Sequence, residues 1–460
     1  MLIEQINLFP DNDTLWFYQG QTVIAIDFKR FWNSAKSFRK SIHGKKVALH
    51  LSSPLDTARA LCLLDGTAES ILLLPTEQNS DDIANFVKTT GCSSLLTDNA
   101  SLGNVMPEDV SIVTVSQLEH EQHNEAPVES DEMLSKLASN WIIPTSGTTG
   151  VPKLVSHSIQ SLTRSVRTNR AVGREYTWGL LYGLMRFAGL QVFLQCLYSG
   201  SSLVLLKGSE TTDDALSQLA SAGCNALSAT PTMWRKILMF EHHRQLKLRQ
   251  ITLGGESVDQ QVLNALGAAF SGSRIVHIYA STEAGVGFAV TDGKEGFPDS
   301  YLTSPPSGVK IKVDNEGFLL LKPEILNQSY IGIKEKLKQD DGYINTGDVV
   351  KLEDGRYLFL GRANGAINVG GNKVQPEEVE KVMRSFACVK LVSVYAKPSP
   401  IMGDLVAADV VVDNSVEDKK SFRKALVEHC RSQLASHKVP AVIKFTDDIK
   451  LNHTGKILRS

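Results

Sequence analysis

The sequence predicts an α/β fold in two parts: a large N-terminal domain of layered sheets and helices, residues 1–361, and a small C-terminal α+β domain, residues 362–460. Three observations predict it. Short apolar runs alternate with amphipathic stretches over residues 46–97, the rhythm of strand–helix–strand units with partly parallel sheets. Near residue 360 a last strand gives way to glycines and a strong helix start. The length, 460 residues, is too great for one small domain.

The elements follow in order. Lys46–Leu51 reads as a strand, Pro54–Leu64 as a helix and Ile71–Leu74 as the next strand. Asp81–Thr89 has helical spacing, and Ser94–Leu96 is strand-like. Glu119–Glu132 is polar and acidic and reads as a surface connection before the strand Trp141–Ile143. Gly179–Leu206 turns apolar and aromatic, a candidate pocket wall or plain core, and ends in the strand Ser202–Leu206. Gly355–Leu360 is the last strand of the large domain, and the boundary is placed at Gly361–Asn364. Pro376-Glu377-Glu378 puts a proline and acids in the first turn of a helix. Leu391–Tyr395 and Val406–Val412 then read as strands and Lys419–Leu434 as a helix.

Composition narrows the function classes. The net charge of −2 gives no electrostatic case for nucleic acid or an anionic membrane. The six cysteines are scattered without CxxC or zinc spacing, which predicts buried thiols in a reducing compartment. No basic start precedes an apolar run and no apolar run is of bilayer length, so the expected location is cytoplasmic.

The most informative segment is Thr145-Ser146-Gly147-Thr148-Thr149-Gly150-Val151-Pro152-Lys153. It follows a strand and precedes a helix expected to begin near Ser156–Gln160. Its glycines let the backbone approach an anion, its hydroxyls can donate to phosphate oxygens, and Lys153 adds charge at the far end. The segment does not fit the Walker pattern, because Pro152 rather than a glycine precedes Lys153 and no Ser or Thr follows the lysine.

This segment resembles the phosphate-binding motif of the adenylate-forming superfamily, which includes acyl- and aryl-CoA synthetases, adenylation domains and luciferases. Further motifs come in the family's order. Tyr279-Ala280-Ser281-Thr282-Glu283 is similar to its aromatic–x–x–Thr–Glu motif, and Thr346-Gly347-Asp348 to its TGD motif. Gly361-Arg362 with Ile367–Val374 and Pro376–Glu380 resembles the hinge and the segment after it, and Thr454-Gly455-Lys456 the terminal lysine motif.

The resemblance implies an acid–thiol ligase, in which a carboxylic acid and ATP give acyl-AMP and pyrophosphate and the acyl group then passes to a thiol. It implies that Lys456 bridges carboxylate and α-phosphate, that Thr282 bonds the α-phosphate and that Glu283 holds Mg²⁺. Lys153 and the hydroxyl loop would hold the outer phosphates, and Asp348 the ribose with Arg362 nearby. Tyr279, with Ala280 and Ser281, would pack at the adenine, and Gly254-Gly255-Glu256 would line the adenine and acyl side. The C-terminal domain would be a mobile lid turning at Asn364, where the family usually has Asp or Lys. Asn368, Gly370 and Gly371 would then border the arm of CoA or a carrier protein's phosphopantetheine.

The acid is less defined. Arg186 and Phe187, before Gly189, match a region where an aromatic–His pair is common. Arg186 would either bind a second anionic group or pair with a wall residue. Gly285 and Gly287 would leave room for an acyl chain or ring, and no Asp between Arg174 and Lys207 offers itself to a substrate ammonium. A fatty or aryl acid is therefore expected. Amino-acid adenylation for a carrier in trans, and a nucleotide-binding protein that has lost catalysis, remain as alternatives.

Overall fold

The structure, a computed structural model, describes residues 1–115, 136–145, 152–306, 308–324, 329–334, 336–399, 403–452 and 455–458. Ser146–Gly150, Thr454 and the acidic segment Glu119–Glu132 lie outside these residues.

The predicted elements form where their local signals are strongest. Pro54–Leu64 is a helix with proline in its first turn, and the Ser53 hydroxyl accepts from Asp56 N–H. Ser80–Thr90 is a helix that begins at Asn79 and ends at Gly91 with φ +66°. Pro376–Arg384 is a helix whose buried face carries Val379, Glu380 and Met383.

Two sheets sandwich the main core. One has seven strands, with Lys46–His50 and Ser70–Leu73 parallel at its centre. The other has eight strands; from one edge they run Gly285–Val290, Arg274–Ser281, Gln250–Gly254, Ala226–Ala229, Thr177–Leu180, Ser202–Leu205, Thr14–Tyr18 and Gln21–Ile24. Its interior pairs are parallel, and only the two edge pairs are antiparallel. Trp16, Trp141 and Phe193 are fully buried in this core. A third sheet of five antiparallel strands follows and includes Ile344–Glu353 and Arg356–Arg362. After Arg362 the described strands form a separate sheet with its own core around Val379, Val394 and Leu426.

The helix expected near Ser156–Gln160 begins at Ile159, and between it and the hydroxyl loop the chain adds a strand, Leu154–His157, antiparallel to Asn140–Pro144. A second strand, Ser329–Ile331, pairs on its other side and stabilises the extended form. Five cysteines are buried as expected, while Cys388 is exposed. Among the described residues, no helix is long and apolar enough to cross a membrane.

Candidate active site

A cavity of about 1250 Å³ opens at the C-terminal ends of the parallel strands, where the last residues of the chain reach back to the eight-stranded sheet. Open parallel sheets bind ligands at this edge.

Lys456 enters it from the C-terminal part. Leu451 and Ile457 bridge as an antiparallel pair, and the Asn452 side chain accepts from Lys456 N–H at 3.0 Å. The Thr230 hydroxyl donates to the Gly455 carbonyl at 2.5 Å, which ties this turn to the large domain. Gly255 lies beneath it with φ +83°, and a Cβ there would stand 3.1 Å from Lys456 Cε. Burial pushes the Lys456 ammonium below its ordinary range and Arg362 adds repulsion, while Glu256, Asp348 and Glu283 act in the opposite sense.

The strand Arg274–Ser281 brings Tyr279, Ala280 and Ser281 to the wall, with Thr282 and Glu283 just beyond. Tyr279 stacks on Phe288 and Phe359 at ring-centroid distances of 5.2 and 5.1 Å, and its hydroxyl donates to Asp348. Burial, with Asp348 close by, pushes this phenol well up, so it stays a donor. Arg362 Nε donates to the other Asp348 oxygen at 3.1 Å. Burial opposes the Arg362 charge, but Asp348, Tyr279 and Glu283 outweigh it and raise its pKa.

Glu256 lines the cavity and accepts from Thr232 N–H at 3.0 Å; Gly254 lies in the wall beside it. Thr145 and Lys153 bracket the hydroxyl loop and hold each other through Thr145 N–H to the Lys153 carbonyl at 2.8 Å. The Lys153 ammonium lies over the Tyr330 ring.

Other expected residues fall differently. Arg186 and Phe187 reach the wall, but Arg186 is paired with Glu77 at 2.5 Å, so its charge is already met. Gly189 is packed on Gly183, where a Cβ would lie 2.2 Å from the carbonyl oxygen. Gly285 and Gly287 are not at the cavity wall; Gly287 lets Tyr279 and Leu321 approach the strand instead. Asn364 borders the cavity in the short turn Ala363–Gly365, and the unusual angle belongs to Gly361, φ +140°. Asn368, Gly370 and Gly371 are exposed and lie away from the cavity.

Two groups at the site carry no sequence signal. His157 is buried, and its Nε2 lies 2.7 Å from the Thr282 carbonyl, which can only accept. Burial lowers its pKa to about 4, so the ring is a neutral donor fixing the Thr282 backbone. Asp259 binds Arg235 at 2.6 Å and Arg384 at 3.1 Å, joining the large domain to the helix Pro376–Arg384. No periodicity marks either group, because the partners are 125 and 24 residues away or more.

Residues 71–324 match the family model described as AMP-binding enzyme, and residues 378–456 match that of the AMP-binding enzyme C-terminal domain. The chain belongs to the AMP-binding enzyme family. Among its relatives is the 2-succinylbenzoate–CoA ligase of Lactococcus lactis subsp. lactis, 27% identical over 428 residues that cover 90% of this chain and 89% of the relative. The 4-hydroxybutyrate–CoA ligase 1 of Metallosphaera sedula is 28% identical over 75% of this chain and 65% of its own length. A D-alanine–D-alanyl carrier protein ligase of Staphylococcus aureus is 25% identical over 75% of each chain. In fold, this AMP-binding enzyme is similar to an anthranilate CoA ligase in complex with anthranoyl-AMP, with a TM-score of 0.81, 19% identity, and 99% of this chain and 95% of that one covered. It is also similar to the Bacillus subtilis o-succinylbenzoate CoA synthetase in complex with ATP and magnesium ion, with a TM-score of 0.75, 21% identity, and 100% and 98% covered.

Proposed function

We propose that the chain is an ATP-dependent acid–thiol ligase, and that its working parts divide at Gly361–Asn364. One observation carries this reading: Lys456 is delivered from the C-terminal part into a cavity where Glu256, Glu283, Asp348 and Arg362 surround it. A buried cation facing a nucleotide-sized cavity suits a reaction in which negative charge builds on phosphorus.

In the first half-reaction a carboxylate oxygen attacks the α-phosphorus of ATP. The bond to the β-phosphate oxygen breaks and pyrophosphate leaves. Lys456 and the Thr282 hydroxyl would neutralise the oxygens that gain charge, Asp348 would accept from the ribose hydroxyls, and Lys153 with Thr145 would hold the outer phosphates. Among the described residues, Glu283 lines the cavity without an ion pair, and no cluster of three ligands could hold a metal by itself. That fits Mg²⁺, which is typically bound by one or two carboxylates, water and substrate phosphates and would offset phosphate charge when bound. In the second half-reaction a thiolate attacks the acyl carbon and AMP leaves. Relatives of both kinds, acting with CoA and with a carrier protein, support a thiol acceptor and leave two arms to test.

The test is acid-dependent exchange of labelled pyrophosphate into ATP over fatty, aryl, dicarboxylic and amino acids. Exchange with at least one acid, lost in Lys456→Ala, is expected. No exchange with any acid, or release of ADP, would reject the reading.

A further inference from the structure

The acyl side of the cavity is a slot between one sheet face and one helix face. Gln250, Thr252 and Gly254 alternate along one strand, and Arg274, Val276 and Ile278 lie beside them in register. Opposite stand Gln191, Val192 and Gln195 of the helix Phe187–Ser199, spaced along one of its faces. From Ile278 to Arg274 the slot runs about 13 Å, at roughly 3.3 Å per residue.

Its cations are unequally partnered. Arg186 is paired with Glu77, Arg362 with Asp348, and Arg235 and Arg384 with Asp259. Arg164 has no ion pair among the described residues. One nitrogen donates to the Val286 carbonyl, while Nη1 is sealed from solvent without a hydrogen-bond partner. Glu324 supports its charge through space only. Val286 lies opposite Ala280, so this guanidinium flanks the slot at its edge strand. Two more arginines without carboxylate partners among the described residues, Arg167 and Arg274, stand at the exposed far end. They are close enough to one another that, after burial, repulsion from Arg167 lowers the Arg274 pKa.

A half-buried guanidinium with no ion-paired carboxylate is costly to hold, and a ligand anion lowers that cost. We propose that the slot takes a carboxylic acid bearing a second anionic group, which Arg164 binds while Arg167 and Arg274 make the outer mouth positive. This rests on the acid-activation reading and narrows the expected fatty or aryl acid to one that carries a second anion. Arg164, rather than Arg186, is the specificity-determining residue.

The experiment measures pyrophosphate exchange with pairs of acids of equal length ending in methyl, carboxylate or phosphonate, for the full chain and for Arg164→Gln and Arg164→Lys. One anionic series should exceed its methyl-ended partner in kcat/KM by about tenfold, the scale of one hydrogen-bonded charge pair. Arg164→Gln should bring that ratio towards one, and Arg164→Lys should restore part of it. Thermal melting with and without the best anionic acid separates misfolding from lost recognition, because a folded Arg164→Gln chain should lose the ligand-induced shift. A methyl-ended acid that matches or beats both anionic partners overturns the proposal while leaving acid activation standing. So does an Arg164→Gln loss that falls on the KM for ATP with the acid ratio intact. Absence of exchange with every acid overturns both readings.

Discussion

The Tyr279 hydroxyl donates to one oxygen of Asp348, while Arg362 takes the other. The carboxylate is therefore oriented before any nucleotide arrives, with remaining lone pairs available to ribose hydroxyls. Asp348→Ala should raise the KM for ATP in pyrophosphate exchange by more than about tenfold, as hydrogen bonds to a charged acceptor are lost. Tyr279→Phe keeps the ring stack and removes one positioning donor, so a rise of roughly fivefold is expected. Equal losses in the two variants would show that the ring stack, not the carboxylate, carries nucleotide affinity.

Lys456 gives a pH signature. Burial lowers its pKa from 10.5, so it loses its proton, and with it the charge that the proposed reaction would use, at a lower pH than an exposed lysine. The alkaline limb of kcat/KM for adenylation should therefore lie below pH 10.5. Lys456→Arg, whose guanidinium stays charged, should move that limb upward whatever its absolute rate. A limb that stays in place in Lys456→Arg would assign it to another group.

His157 gives an acid signature. Its pKa is lowered from 6.5 to about 4 in the folded chain, so between those values the unfolded chain binds more protons. Its contribution is complete above pH 6.5 and is lost as pH falls towards about 4, in total about 3 kcal/mol. Denaturation midpoints between pH 7 and 4 should fall more steeply for the natural chain than for His157→Gln. The same slope in both would place the acid sensitivity elsewhere.

The Asp259 clasp should grade by which member is removed. Asp259→Ala leaves Arg235 and Arg384 without their shared carboxylate, and breaking a buried pair costs about 3–5 kcal/mol. Arg384→Ala leaves Asp259 bound to Arg235 and should cost less in stability while slowing pyrophosphate exchange. Thiolysis of supplied acyl-AMP should be less affected, because the clasp belongs to the arrangement with Lys456 inside the cavity. Equal slowing of both steps would show that Arg384 is only structural.

Local chemistry makes much of this legible. The helix Pro54–Leu64 is written in its proline, its Ser53 cap and its apolar spacing. Tyr279, Asp348, Arg362 and Lys456 stand out through short motifs, and the fold brings all four to one cavity. The strand Leu154–His157 reads locally as the approach to a helix, because its extended form depends on partners on both sides, one of them around residue 330. Arg186 is visible as a charge in an apolar run, but its Glu77 partner is 109 residues away and no local pattern announces it. Arg164 carries no motif at all. Its meaning appears only when Arg186, Arg235, Arg362 and Arg384 are each seen to have a carboxylate, while Arg164 has none among the described residues.

The clasp also bears on turnover. Asp259 has one partner on its own side, Arg235, and one on the far side, Arg384. A C-terminal part that swings away takes Arg384 with it but leaves the carboxylate compensated, and Arg384 keeps Glu380 at 3.7 Å in its own helix. Neither departing surface is stranded with an unmatched charge. Two postures of this kind would then lie close in free energy, and a small differential affinity of substrate or adenylate would be enough to set which one prevails. An enzyme that worked through two such postures would be timed by its cargo, step by step, rather than locked by its own electrostatics.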